Sequence, residues 1–137
     1  MACFDTTFLI DYWRMLYRDD AEGLAVLEGV MLEHELKVSA ITAGELLWGA
    51  YNLGTESAIE VAKSILRRFK VLPFDSRAAD IYASISTSLK QKGTPLKAFD
   101  ELIAATAIRF NEPLITNDKE FKRVAGLEVI EYLPPKP

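Results

Sequence analysis

The sequence carries 20 Asp and Glu residues against one His and one Cys, so any chemistry it performs falls to carboxylates. A lone His34 and a lone Cys3 supply neither a zinc-finger ligand set nor a plausible Ser-His-Asp triad. Four carboxylates stand out by position. Asp5 follows the short apolar run 2–4. Glu45 lies in the first turn of a helical stretch that opens at Thr42. Asp100 heads the most apolar helical stretch of the chain, and Asp118 follows Leu114-Ile115-Thr116-Asn117.

Each has a structural alternative. Thr42-Ala43-Gly44-Glu45 reads as a capping box, in which Thr42 and Glu45 would satisfy N–H groups at a helix start. Asp118 can cap the short helix behind it. Asp5 is harder to dismiss, because Thr6 and Thr7 could cap equally well and leave it free. Asp100 is the most telling, since an unpaired charge on an apolar helix is costly and the helix N-terminus returns only about 0.3–1 kcal/mol. Two like charges about 4 Å apart repel by about 4 kcal/mol at an effective dielectric of 20. Several such pairs in one cleft would rival the roughly 5–15 kcal/mol that holds a small domain together. A cluster of these acids must therefore take up protons or cations. Oxygen-only ligands favour Mg²⁺ or Mn²⁺ over zinc. Such ions activate water and neutralise phosphoryl oxygens, and a pair about 3.5–4 Å apart would clamp both oxygens of an in-line displacement. Phosphodiester hydrolysis is the leading chemistry.

The elements that must position these groups alternate between short β-like and longer helical pieces. Strands are expected at 2–4, 36–40, 71–74, 114–116 and 127–132, with Pro73 marking the third as an edge strand. Helices are expected at 7–17, 21–33, 42–53, 56–68, about 75–92 and 98–110, with a short one near 119–124. Gly54 and Gly93 act as stops. Strands alternating with helices predict a three-layer α/β/α domain around a mostly parallel five-stranded sheet. In such sheets sites form beyond the carboxyl ends of the strands. That rule sends Asp5, Glu45, Asp100 and Asp118 to one edge.

Length and composition frame this reading. At 137 residues, half of them apolar, the chain predicts one globular domain over 1–133 with a frayed tail at 134–137. Sixteen Lys and Arg against 20 acids give a net charge of −4, which argues against a broad basic surface for gripping duplex DNA. No apolar run approaches the roughly 18 residues of a membrane span. Met1-Ala2-Cys3-Phe4-Asp5 lacks a signal-like basic start, and one cysteine forms no internal disulfide, so a reducing cytoplasmic location is expected.

With these residues in place, the chain resembles the PIN-domain nucleases, and in particular the VapC toxins of VapBC toxin–antitoxin pairs. The matching blocks are Asp5-Thr6-Thr7-Phe8-Leu9-Ile10-Asp11, the stretch Ile41-Thr42-Ala43-Gly44-Glu45-Leu46-Leu47-Trp48-Gly49-Ala50 and Val71-Leu72-Pro73-Phe74-Asp75. They continue with Asp100-Glu101-Leu102-Ile103-Ala104-Ala105-Thr106-Ala107, Ile115-Thr116-Asn117-Asp118 and Phe121-Lys122-Arg123-Val124-Ala125-Gly126-Leu127. Any one block is weak evidence; their order over the whole chain is strong. The resemblance implies a five-stranded parallel sheet and Mg²⁺- or Mn²⁺-dependent endoribonuclease activity. It places the acidic positions on Asp5, Glu45, Asp100 and Asp118, with Asp5 and Asp100 as the most direct metal ligands. Supporting hydroxyls fall on Thr6 and Thr116, with Asn117 beside them. It also implies a homodimer, an RNA substrate and a small VapB-like antitoxin whose C-terminal segment enters the active-site groove. The chain departs from the family before Asp100, where Leu96-Lys97-Ala98-Phe99 replaces a stretch that often contains Gly. The fourth acid varies in the family, so Asp118 could hold water in an outer position.

Further residues have two readings each. Arg14 could meet substrate phosphate or pair with Asp11 at i, i+3. Lys97 could contact RNA phosphate or sit solvated at a helix start. Lys119, Lys122 and Arg123 could rim an RNA site or form a solvated face. Trp13, Trp48, Tyr51 and Phe99 could stack on bases, but their helical spacing favours core or dimer packing. Gly49 inside a helix suggests a close packing contact, since it costs about 1 kcal/mol relative to Ala. Two rival functions stand beside the nuclease. A haloacid-dehalogenase-type phosphatase would need an Asp two residues after Asp5, where Thr7 stands. A non-catalytic binding module of the same fold would not need all four acids.

Overall fold

Strand residues here alternate sides even though both faces of the sheet are buried. In β1 (Ala2–Phe4), Ala2 and Phe4 join one hydrophobic cluster and Cys3 joins another. In β4 (Leu114–Thr116), Leu114 and Ile115 divide the same way. That period-two division puts the sheet between two cores. The computed structural model describes residues 2–135. Met1 of the expected domain, and Lys136 and Pro137 of the expected tail, lie outside the described residues; Pro134 and Pro135 belong to no helix or strand.

The remaining strands are β2 (Leu36–Ser39), β3 (Lys70–Leu72) and β5 (Val129–Glu131), and every pairing is parallel in the order β3-β2-β1-β4-β5. β3 is an edge strand, as Pro73 predicts. One face is covered by α1 (Thr6–Tyr17), α2 (Ala21–Met31), α3 (Ala40–Leu53) and α4 (Glu56–Leu66). The other is covered by α5 (Ser76–Gln91), α6 (Ala98–Arg109) and a short 3₁₀ turn at Lys119–Arg123. The expected three-layer α/β/α fold is present, with a wholly parallel sheet. Successive strands run outward from β1 to β2 and β3, then jump across to β4 and β5. The order therefore reverses between β1 and β4, and a crevice opens beyond their carboxyl ends.

Local sequence sets the helix starts that matter. Ser39, not Thr42, caps α3: its Oγ accepts the Thr42 N–H at 3.0 Å. The capping box expected at Thr42 and Glu45 is displaced by three residues, which leaves the Glu45 carboxylate free for other partners. Gly54 closes α3 at φ 78°, the left-handed conformation that favours glycine. α6 is the buried helix predicted, with Ile103, Ala104, Ala105, Thr106 and Ala107 all inaccessible. Its first turn carries Asp100 and Glu101. At the far end of the sheet the Glu112 carboxylate is buried and paired with Lys37.

Candidate active site

Asp5 occupies the N-cap position of α1 but caps nothing with its side chain. The strand holds its backbone, through an N–H donated to the Ile115 carbonyl at 2.8 Å. Its side chain turns into the crevice. Oδ2 accepts the Thr116 hydroxyl at 2.7 Å and the Thr7 hydroxyl at 3.1 Å. Oδ1 is buried and has no hydrogen-bond partner. Asp5 is 1% exposed, and burial pushes its carboxyl upward against the pull of those hydroxyls. A buried anionic oxygen without a donor is costly, and it is the atom a cation would satisfy.

Glu45 faces the same crevice from the first turns of α3. Its Oε1 accepts the Thr6 hydroxyl at 2.7 Å. Thr6 also lies 3.0 Å from the Thr42 hydroxyl, to which Ser39 Oγ donates at 3.3 Å. Because Thr6 gives its one proton to Glu45, the chain runs from Ser39 through Thr42 and Thr6 to the carboxylate. The buried hydroxyls of the β2–α3 junction thus end on a site acid.

Asp100 is pushed up to about 6, first by burial, then by the negative charges of Asp5, Asp118 and Glu45, against a small opposing pull from Lys97. The four acids therefore share one electrostatic neighbourhood, as the rule for parallel sheets predicts. Asp118 does cap: its Oδ1 accepts the Glu120 N–H at 2.9 Å. Its own N–H donates to Thr116 Oγ1 at 3.0 Å. Thr116 is thus a hub between Asp5 and Asp118. Thr6 and Thr116 hold site carboxylates, whereas Asn117 is exposed and its side chain makes no hydrogen bond among the described residues. Among the described residues, no three acids are drawn together tightly enough to hold one ion as they stand.

Several secondary readings change. Asp11 accepts the Tyr132 hydroxyl at 2.7 Å, and no Asp11–Arg14 ion pair is present among the described residues. Arg14 is exposed and lines a cavity of about 160 Å³ that includes Glu45. Lys97 is exposed at the N-cap of α6. Trp48, Tyr51 and Phe99 are not in the core, with exposures of 69%, 57% and 55%. Trp48 and Phe99 instead line a groove of about 690 Å³ with Ile10, Ile41 and Glu45. A Cβ on Gly49 would meet nothing, so its place is to widen this groove and not to admit a packed helix. Trp13 is half-buried and donates to the Ala58 carbonyl. Lys122 and Arg123 pair with Glu131 and Glu120 on the surface. Glu101 escaped sequence reading: it is buried and accepts the Leu96 N–H at 3.1 Å, bracing the loop that enters α6. The only signal was a second acid beside Asp100.

A wholly parallel sheet with acids gathered at its switch point defines the class. Residues 2–127 match the PIN domain family, and the chain belongs to it. Within that family it is VapC-like. It is 32% identical to the VapC ribonuclease Y4jK of Sinorhizobium fredii, over 98% of this chain and 99% of that protein. It is 33% identical to the tRNA(fMet)-specific endonuclease VapC of Salmonella typhimurium, over 69% of this chain and 74% of that one. In three dimensions it superposes on a chain of the Rickettsia felis VapBC2 complex bound to a promoter DNA fragment, with a TM-score of 0.83 and 26% identity. That match covers 96% of this chain and 98% of the other.

Proposed function

We propose that the protein is a divalent-metal-dependent endoribonuclease acting as the toxin of a toxin–antitoxin pair. The observation that carries this reading is the unpartnered buried oxygen of Asp5 beside three further carboxylates, one of them pushed up to about 6. The donor set is all oxygen, which suits Mg²⁺ or Mn²⁺. Asp5 and Asp100 would hold the ion most directly, with Glu45 and Asp118 completing the site or orienting its waters. Bound there, the ion would supply a water of lowered pKa and charge neutralisation at phosphorus.

The chain's own residues do the rest. Thr116 and Thr7 fix the Asp5 carboxylate by occupying one oxygen, and Thr6 does the same for Glu45. Second partners of this kind orient ligands and tune affinity. Arg14, beside Glu45 in the cavity wall, is placed to meet a substrate phosphate, and Lys97 flanks Asp100 in the same way. The groove lined by Trp48 and Phe99 leads away from Glu45 and offers an apolar track for the C-terminal segment of a VapB-like antitoxin. Solved relatives in toxin–antitoxin complexes support that partner, and a cytoplasmic homodimer accords with the same reading. Among the described residues, no helix is long and apolar enough to cross a membrane.

The test is cleavage of transfer and ribosomal RNA by the purified protein. Cleavage should require Mg²⁺ or Mn²⁺, stop on chelation and return when metal is restored, and Asp5→Asn should abolish it. Undiminished cleavage in chelator, or by Asp5→Asn, would overturn the reading.

A further inference from the structure

Three buried hydroxyls tie the end of β2 to the crevice. Ser39 and Thr42 are 0% exposed and Thr6 is 7% exposed, so their hydroxyls must find partners within the protein. Each has one proton to give. Ser39 Oγ accepts the Thr42 N–H at 3.0 Å and donates to Thr42 Oγ1 at 3.3 Å. Thr42 Oγ1 lies 3.0 Å from Thr6 Oγ1. The Thr6 proton goes to Glu45 Oε1 at 2.7 Å, so the proton between the two threonines comes from Thr42. All three protons therefore run one way, toward Glu45.

Thr42 is set apart from a capping residue by where its hydroxyl goes. Ser39 caps α3, and among the described residues the Thr42 hydroxyl serves no backbone group; it reaches across to α1 instead. Thr6 directly follows Asp5, whose N–H is held by the Ile115 carbonyl of β4 at 2.8 Å. The bond between Thr42 and Thr6 thus joins the segment that carries Asp5 to the segment that carries Glu45. Among the described residues the Glu45 carboxylate accepts one hydrogen bond, at Oε1, and none at Oε2. We propose that Thr42 is a positioning residue for Glu45: acting through Thr6, it fixes the carboxylate by Oε1 at a set distance from Asp5 and leaves Oε2 to a divalent cation or its waters. The inference rests on the metal-site reading above and deepens it.

Removing an outer partner of a metal ligand lowers affinity by about 10–100-fold. Calorimetric titration of the metal-free full chain with Mn²⁺ reads this directly. Thr42→Val keeps the shape, removes the hydroxyl and should weaken Mn²⁺ by about tenfold. Thr42→Ser restores the donor and should bind as the parent does. In a Glu45→Ala background Thr42→Val should cost nothing further, because Thr42 acts through that carboxylate. If Thr42→Val does not fold, Thr42→Cys, a weaker donor of nearly the same size, takes its place with a smaller loss expected. Parental affinity in the variant that folds, a Thr42→Ser that binds as weakly as Thr42→Val, or a loss undiminished in Glu45→Ala would overturn the proposal while leaving the nuclease reading intact. A parent chain that binds no Mn²⁺ would overturn both.

Discussion

Asp100 concentrates the energetics of the site in one residue. Its carboxyl ordinarily titrates near 3.8 and is pushed up to about 6 by burial and three neighbouring acids. The folded state therefore holds this proton more tightly than the unfolded chain does. Between about pH 4 and 6 the folded protein binds more protons, so stability of the metal-free protein falls as pH rises through that window. Asp100→Asn removes the charge and keeps the shape. In chelator at pH 7.5 the variant should melt about 3 °C above the parent, corresponding to about 1 kcal/mol in a chain of this size, and the gap should close by pH 4. A thermal scan at both pH values checks it; a variant that melts below the parent at pH 7.5 would mean the carboxylate is compensated within the fold. A divalent ion competes for the same oxygens, so Mn²⁺ affinity should weaken by about tenfold per pH unit below 6.

At the scale of elements, four junctions build the site: β1 to α1, β2 to α3, the loop into α6, and the end of β4 into the 3₁₀ turn. The third depends on Glu101, whose carboxylate takes the Leu96 N–H. Glu101→Ala leaves that buried donor unpaired and should cost about 1–3 kcal/mol, measured from the urea midpoint, with a loss of RNA cleavage because Asp100 is its neighbour. Glu101→Gln keeps an acceptor and should stay within about 1 kcal/mol of the parent. Equal loss in both variants would show that the buried charge, and not the bond to Leu96, is what matters. The junctions were unequally legible in the sequence. Asp5 behind an apolar triplet and Asp100 on an apolar helix announce themselves, since a charge there must be repaid. The Thr42–Glu45 box misled because Ser39, three residues earlier, offered a better-placed cap at the strand end.

For the whole molecule, the reversal of strand order between β1 and β4 turns scattered acids into a site. The alternation of strands and helices was enough to predict the layered parallel sheet and to send the four acids to one edge. It did not predict the strand order, and so could not show that Asp5 and Thr116 face each other across the reversal. Exposure of Trp48 and Phe99 was hidden for a related reason: helical spacing marks a face as apolar but does not say whether another element covers it. Tyr132 and Asp11, 121 residues apart, meet only because β5 follows β4 on that edge. Local pattern has no means of reporting such a pair.

The most direct measurement is a crystal structure grown with Mn²⁺, with the ion located by its anomalous scattering. The account predicts a peak at coordination distance from Asp5 Oδ1 and an Asp100 oxygen, with Asp5 Oδ2 still bound to the Thr116 hydroxyl. An ion seated elsewhere, with Oδ1 of Asp5 left without a partner, would contradict it.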